Sequence, residues 1–297
     1  MPLSPKHKPK PCLPKAPNIR QALQHAAHYL AKTLDLPFGL AKLEAECLLA
    51  FVLGCSRTSL LIHDEAPLKA HDWQSFQTLW MQRAKGMPLA YLTREKEFFG
   101  IPLTVDEHVL VPRPETELLV EKALEIAKPN AHILDLGTGS GAIAIALAKS
   151  NATFGVVATD KSQEALAVAQ ENARRLQVHN ILFVHSDWYE KINKRFDVIC
   201  SNPPYVDEND PCLAAAGVAF EPKTALVAKE KGLADLRHIV GQAPAYLDDN
   251  GALLIEHGHL QQEAAQTFFR ESGFADVLTL KDLAGHPRVT LGFIKPS

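Results

Sequence analysis

Asn202-Pro203-Pro204-Tyr205 is the segment of this chain whose residue types specify chemistry most directly. An amide or exocyclic amine nitrogen is a poor nucleophile, because its lone pair is delocalised. A protein can assist it by accepting hydrogen bonds from both of its N–H groups. The Asn202 side-chain oxygen and the Pro203 carbonyl can act as those acceptors. As positive charge develops on the nitrogen, they stabilise it more than they stabilise the ground state. Two successive prolines fix φ and stiffen the turn, so the acceptors are preorganised. Tyr205 supplies an aromatic face for a planar group. No general base is needed, since the alkylated nitrogen becomes acidic and loses its proton to solvent. A capped strand-to-loop turn is the plainer use of an Asn-Pro pair, but four such residues in this order at a strand end are far more specific. The strand is the apolar run Phe196-Asp197-Val198-Ile199-Cys200, followed by Ser201.

A second signal lies upstream, in Ile133-Leu134-Asp135-Leu136-Gly137-Thr138-Gly139-Ser140-Gly141. Residues 131–136 read as a buried parallel strand, and Ala142 to Lys149 as the start of a helix. The glycines between them allow a tight turn and close approach to a ligand. The free N–H groups of the helix N-terminus suit a polar or anionic ligand group. Another strand, Gly155 to Thr159, ends in Asp160, which lies 25 positions after Asp135. That is close to where an acidic residue meets ribose hydroxyls in a βαβ nucleotide site. Asp160 could equally cap the helix that begins near Ser162. A third strand, Asn180 to Val184, leads to Ser186-Asp187-Trp188. Ligands of open α/β sheets bind beyond the carboxyl ends of the strands. Asp187 and Trp188 are therefore placed to meet an adenine ring, although ordinary packing also explains a tryptophan there. Glycine turn and Asn-Pro-Pro-Tyr clamp together point to methyl transfer from S-adenosylmethionine to nitrogen.

With these residues in view, the chain resembles the HemK/PrmC glutamine methyltransferases, which modify peptide chain release factors. The likeness runs from about Asn18 to Phe293. It is carried by Pro88 to Thr93, Glu97-Phe98-Phe99-Gly100, Val111-Pro112-Arg113-Pro114-Glu115-Thr116-Glu117, the Gly137–Gly141 turn, Ser186-Asp187-Trp188 and Asn202–Tyr205. Phe220-Glu221-Pro222, Thr224-Ala225-Leu226, Glu256-His257-Gly258 and Arg288 to Gly292 complete it. The resemblance implies an α/β fold: a seven-stranded Rossmann-like S-adenosylmethionine-dependent methyltransferase domain preceded by a small helical domain. It implies that Gly137, Thr138, Gly139, Ser140, Gly141, Asp160, Trp188 and Asn202 contact the cofactor. It further implies that Asn202, Pro203, Pro204 and Tyr205 hold the substrate glutamine of a Gly-Gly-Gln loop, with Asn202, Pro203 and Tyr205 as the catalytic set. A sister branch methylates a glutamine of a ribosomal large-subunit protein and carries Pro-Arg-Ser-Pro where this chain has Pro112-Arg113-Pro114-Glu115. The form found here favours the release-factor branch.

The remaining sequence is consistent with this. A 297-residue chain with 46% hydrophobic and 22% charged residues is an ordinary globular protein with room for two domains. Net charge is only −3, so stable nucleic-acid binding is not expected. Five cysteines without CxxC spacing suit free thiols in a reducing cytoplasm, and Cys200 reads as a small buried side chain. The thirteen histidines lack metal-ligand spacing, so no metal is expected; His25 and His28 share a helix face that reads as solvated. No apolar run reaches the ~20 residues of a membrane span. Residues 1–17 hold six prolines and four lysines and read as a disordered tail. Residues 18–87 read as a helical domain for substrate recognition, with Trp73, Phe76, Leu79 and Trp80 as a core stripe. Residues 88–112 read as a linker with a β-hairpin, and 113–297 as the methyltransferase domain. Glu115, Glu117 and Glu221 read as salt-bridging residues that could also line the cleft. An adenine-amino methyltransferase would share the clamp but would need a nucleic-acid footprint. A nicotinamide oxidoreductase or a non-catalytic cofactor scaffold would leave Asn202–Tyr205 unexplained.

Overall fold

The computed structural model describes residues 17–296, so the tail expectation and Cys12 lie outside the described residues. The chain divides into two compact units, one up to Thr93 and one from Arg94.

The first unit is helical: α1 (Ile19–Leu34), α2 (Phe38–Leu53), α3 (Arg57–Ile62), α4 (Ala70–Ala84) and α5 (Leu89–Thr93). Local chemistry sets its boundaries. The Gln21 N–H donates to the Asn18 side chain at 2.9 Å, and the Asn18 N–H donates back to the Gln21 side chain at 3.2 Å, a reciprocal cap on α1. Gly54 ends α2 in the left-handed conformation, at φ 61°. Trp73, Phe76 and Trp80 of α4 bury one face against Leu23, Leu30, Leu48 and Leu49. Arg83 of α4 donates to both oxygens of Glu44 on α2, at 2.9 and 3.0 Å. His25 is not on a solvated face: its ring lies edge-on to Trp80, 5.7 Å between centroids, whereas His28 is exposed.

The second unit opens with the hairpin β1 (Glu95–Phe98) and β2 (Ile101–Thr104). Phe98, Ile101 and Leu103 are buried in the main core. The hairpin is thus part of this unit's packing as well as a connection. The sheet follows: β3 (His132–Leu136), β4 (Gly155–Asp160), β5 (Ile181–His185), β6 (Phe196–Ser201), β7 (Leu247–Glu256), β8 (Ala275–Lys281) and β9 (Pro287–Phe293). Its order is β5-β4-β3-β6-β7-β9-β8, with β9 antiparallel to both neighbours. The long helices are α6 (Glu117–Ile126), α7 (Ala142–Ser150) and α8 (Gln163–Arg175), then, after the short turns α9 (Lys223–Leu226) and α10 (Lys229–Gly232), α11 (Ala234–Gln242) and α12 (Gln262–Glu271).

Both sheet faces are covered, which is why the central strands are largely apolar rather than alternating. Ile133, Val198 and Leu254 enter one core with α6 and α7. Leu134, Ile199 and Leu253 enter the other with α11 and α12. Register aligns Leu136 with Ser201 and Ser201 with Ile255, so the carboxyl ends of β3, β6 and β7 sit side by side.

Asn172 of α8 ties the hairpin to the glycine turn. Its side chain donates to the Thr104 and Ser140 carbonyls at 2.9 and 3.0 Å and accepts from the Thr104 N–H at 2.7 Å, fully buried. Replacing Asn172 by Ala strips partners from all three backbone groups. It should cost about 2–4 kcal/mol of unfolding free energy, measured by denaturant titration.

Candidate active site

β3 ends in Asp135 and Leu136, and the turn to α7 then passes through three left-handed glycines, at φ 71° for Gly137, 55° for Gly139 and 83° for Gly141. Each has its own reason. A Cβ on Gly137 would sit 3.3 Å from the Trp188 ring, so glycine lets that ring approach. A Cβ on Gly139 would meet nothing within 4 Å, because the turn faces open space there. A Cβ on Gly141 would press on Ile145 at 2.9 Å and Ala169 at 3.1 Å, so this glycine serves helix packing.

The turn is pinned by two carboxylates. Asp135, fully buried, accepts from the Thr138 hydroxyl at 2.6 Å and the Ala144 N–H at 3.2 Å through Oδ2, while Oδ1 has no partner. Burial pushes its carboxyl up to about 7. Asp160, at the end of β4, accepts from the Gly139 N–H and the Ser162 N–H, both at 2.9 Å. Ser162 is itself the α8 cap, accepting from the Ala165 N–H. Asp160 therefore bridges the turn and the helix start, and each oxygen keeps acceptor capacity for a further donor.

Beside this turn lies a cleft. Gly137, Thr138, Gly139, Ser140, Asp160, Trp188, Asn202 and Pro204 line it; Gly141, Pro203 and Tyr205 do not. Glu115, Glu117 and Glu221 are also outside its wall. Glu221 instead pairs with Arg113 at 2.7 Å, and Glu117 accepts from the Phe99 N–H at 2.9 Å. Wall residues that the sequence did not single out for a role include His108, Thr116, Lys161 and Ala165. Trp188 adopts φ 47°, unusual for a bulky residue, and is held there by the Ser186 hydroxyl donating to its carbonyl at 3.0 Å. Strain of this kind, roughly 1–3 kcal/mol, persists where the surroundings over-determine it and clusters at ligand sites.

The Asn-Pro-Pro-Tyr turn is anchored at both ends. Upstream, the Ser201 hydroxyl donates to the Leu136 carbonyl at 2.9 Å. Downstream, Gln261 donates to the Tyr205 carbonyl at 3.0 Å, and Val206 exchanges backbone bonds with Leu226 and Ala228. Gly232 packs so closely on the Tyr205 carbonyl that any Cβ would overlap it. Asn202 donates through Nδ2 to the Thr116 hydroxyl at 3.0 Å, and Thr116 donates to Glu256 Oε2 at 2.6 Å. The Tyr205 hydroxyl donates to Glu256 Oε1 at 3.1 Å. Glu256 is buried at the end of β7, and desolvation raises it to about 7. Burial, with Glu256 alongside, holds the Tyr205 phenol well above its usual range, so it stays a neutral donor.

Two regions of the chain match known families: residues 114–232 the methyltransferase small domain, and residues 21–93 the PrmC N-terminal domain. The release factor glutamine methyltransferase of Pasteurella multocida is 45% identical over 91% of this chain and 97% of its own. That of Yersinia pestis is 47% identical over 84% and 91%, and that of Vibrio cholerae 46% over 93% and 97%. The chain belongs to the release factor glutamine methyltransferase family. A solved methyltransferase from Pyrococcus furiosus, 18% identical, overlays on 74% of this chain and 98% of its own with a TM-score of 0.52, which reflects the shared fold. Among the described residues, no group of three or more His, Cys, Asp or Glu is placed to hold a metal ion, and no helix is long and apolar enough to cross a membrane.

Asp135 carries a stability signature. An unfolded aspartate titrates near 4, whereas the folded group titrates at about 7. Between these values the folded state binds more protons, so this group's contribution falls as pH rises. Asp135→Asn removes the titration. Its Tm relative to the parent protein should therefore rise progressively from pH 5 to pH 8, as read by calorimetry.

Proposed function

We propose that the cleft binds S-adenosylmethionine and that the Asn-Pro-Pro-Tyr turn presents to it the glutamine side chain of the Gly-Gly-Gln loop of a peptide chain release factor, for methylation on the amide nitrogen. The observation that carries this is the Asn202 amide, committed through Nδ2 to Thr116 and so left with its oxygen as an acceptor at the cleft wall.

The residues suit a nucleoside with an amino-acid tail. Asp160 has an acceptor position left on each oxygen, matching a pair of ribose hydroxyls. Trp188 offers an aromatic face in the wall. The first turn of α7, whose Ala142 and Ile143 line the cleft, presents backbone donors and positive potential to a polar group. When bound, the cofactor supplies an electrophilic methyl on a sulfonium. Asn202 and the Pro203 carbonyl accept from the two substrate N–H groups and stabilise the charge that grows on nitrogen. The anchored backbone on either side keeps these acceptors from relaxing away, so orientation and exclusion of water carry the rate. No protein base is required. The helical unit, with its own core, is assigned to recognition of the protein substrate. Cys47, Cys55, Cys200 and Cys212 are free thiols, in keeping with a cytoplasmic setting.

Asn202→Ala and Asp160→Ala should separate the two roles. Asn202→Ala should slow single-turnover methylation of release factor by at least ~10²–10³, with a much smaller effect on cofactor affinity. Asp160→Ala should weaken cofactor binding in calorimetric titration by at least about tenfold, since each charge-assisted bond contributes ~1.5–3 kcal/mol. Near-normal turnover by Asn202→Ala would contradict the mechanism. A protein beginning at Arg94 should still bind cofactor yet lose most methylation of intact release factor; full-rate modification would remove the recognition role from the helical unit.

A further inference from the structure

Glu256 and Thr116 have no part in the chemistry described so far, yet both polar members of the Asn-Pro-Pro-Tyr turn end on them. We propose that Thr116 and the Glu256 carboxylate form a polarity relay that sets which end of the Asn202 amide faces the substrate. This inference rests on the function proposed above and assigns positioning roles to two residues for that reaction.

An ionised carboxylate only accepts hydrogen bonds. Thr116 has a single hydroxyl proton, and at 2.6 Å that proton goes to Glu256 Oε2. The Thr116 oxygen can then only accept, so Asn202 must turn its Nδ2 toward it, at 3.0 Å. The amide oxygen is the end left for a ligand. The second carboxylate oxygen takes the Tyr205 hydroxyl at 3.1 Å, which fixes the phenol as well. Thr116 is 4% exposed and Glu256 1%, so these bonds lie in a largely dry, low-dielectric setting that strengthens them.

Protonation would reverse the chain. A neutral Glu256 carrying its proton on Oε2 donates to Thr116, and Thr116 then donates to Asn202. The amide turns over and confronts the substrate N–H groups with its own, which repels them. Burial raises Glu256 to about 7, so the reversal lies near neutral pH. The charged groups around it are Arg288, which lowers it, and Glu115, which raises it. Arg288 is shared with Asp282. Arg113, facing Tyr205, is taken by Glu221. His257, just beyond the end of β7, is engaged by the Gly258 carbonyl and Thr290, and burial lowers its pKa. No second carboxylate lies in the chain of bonds from Asn202 to Glu256.

The test is single-turnover methylation of release factor at saturating S-adenosylmethionine from pH 5.5 to 8.5, with cofactor affinity measured in parallel. The unaltered protein should lose rate below about pH 7, approaching tenfold per pH unit for one proton. Thr116→Val should be slower by about 10² with unchanged cofactor affinity, and Thr116→Ser should restore most of that loss. Glu256→Gln should be slow and should lack the acid limb. A Thr116→Val protein at the normal rate, or an acid limb retained in Glu256→Gln, would overturn the relay. If Thr116→Val does not fold, the two pH profiles still decide. Absence of transfer by the unaltered protein would overturn the proposed function and the relay together; an active parent with indifferent variants overturns the relay alone.

Discussion

A carboxylate without access to water sits at the end of β7, and the polar geometry of the Asn-Pro-Pro-Tyr turn depends on it. Glu256 receives the Thr116 and Tyr205 hydroxyls, and through Thr116 it reaches Asn202. Burying a carboxyl costs free energy unless its oxygens are satisfied. Here two hydroxyl donors satisfy it, one from the segment preceding α6 and one from the turn after β6. The same bonds that offset the desolvation of Glu256 therefore decide the direction of the neighbouring amide.

The sheet makes this convergence possible. Parallel strands β4, β3, β6 and β7 end together, so groups far apart in the chain meet along one edge. Asp160 closes the β4 side by holding the glycine turn, and Ser201 links the β6 end to β3. Asn172 joins the turn to the hairpin, which contributes Phe98 and Leu103 to the core beneath. The cleft is thus walled by elements that are each fixed by buried bonds. A preorganised acceptor for a weak nucleophile requires that rigidity, because an acceptor that moves with the substrate returns nothing at the transition state.

Much of this was legible in the sequence wherever the signal was local. Apolar strands ending in Gly-x-Gly-x-Gly, in Asp160 and in Asn-Pro-Pro-Tyr mark the ends of β3, β4 and β6. The stripe of Trp73, Phe76 and Trp80 marked a helical core for the same reason: helical periodicity is a short-range property. What escaped was long-range. Thr116 and Glu256 stand 140 positions apart, and nothing in either neighbourhood indicates the other. Both lay within segments shared with the family, but without a role. Likewise, three glycines of one turn look equivalent in sequence, whereas Gly137 admits a ring, Gly139 faces the cleft and Gly141 packs helices. The hairpin's alternation is visible in the sequence, whereas the burial of Phe98 and Leu103 is not. His25 read as solvated because Trp80, its partner, belongs to another helix.

In the proposed reaction a fixed acceptor, not a base, activates the substrate nitrogen. A crystal structure of the protein with S-adenosylhomocysteine and a glutamine-bearing release-factor loop decides between the two. An acceptor role places the glutamine nitrogen within hydrogen-bond distance of Asn202 Oδ1 and of the Pro203 carbonyl, with Asn202 Nδ2 still on Thr116. A glutamine nitrogen seated elsewhere, or donating to a carboxylate placed to take its proton, would contradict it.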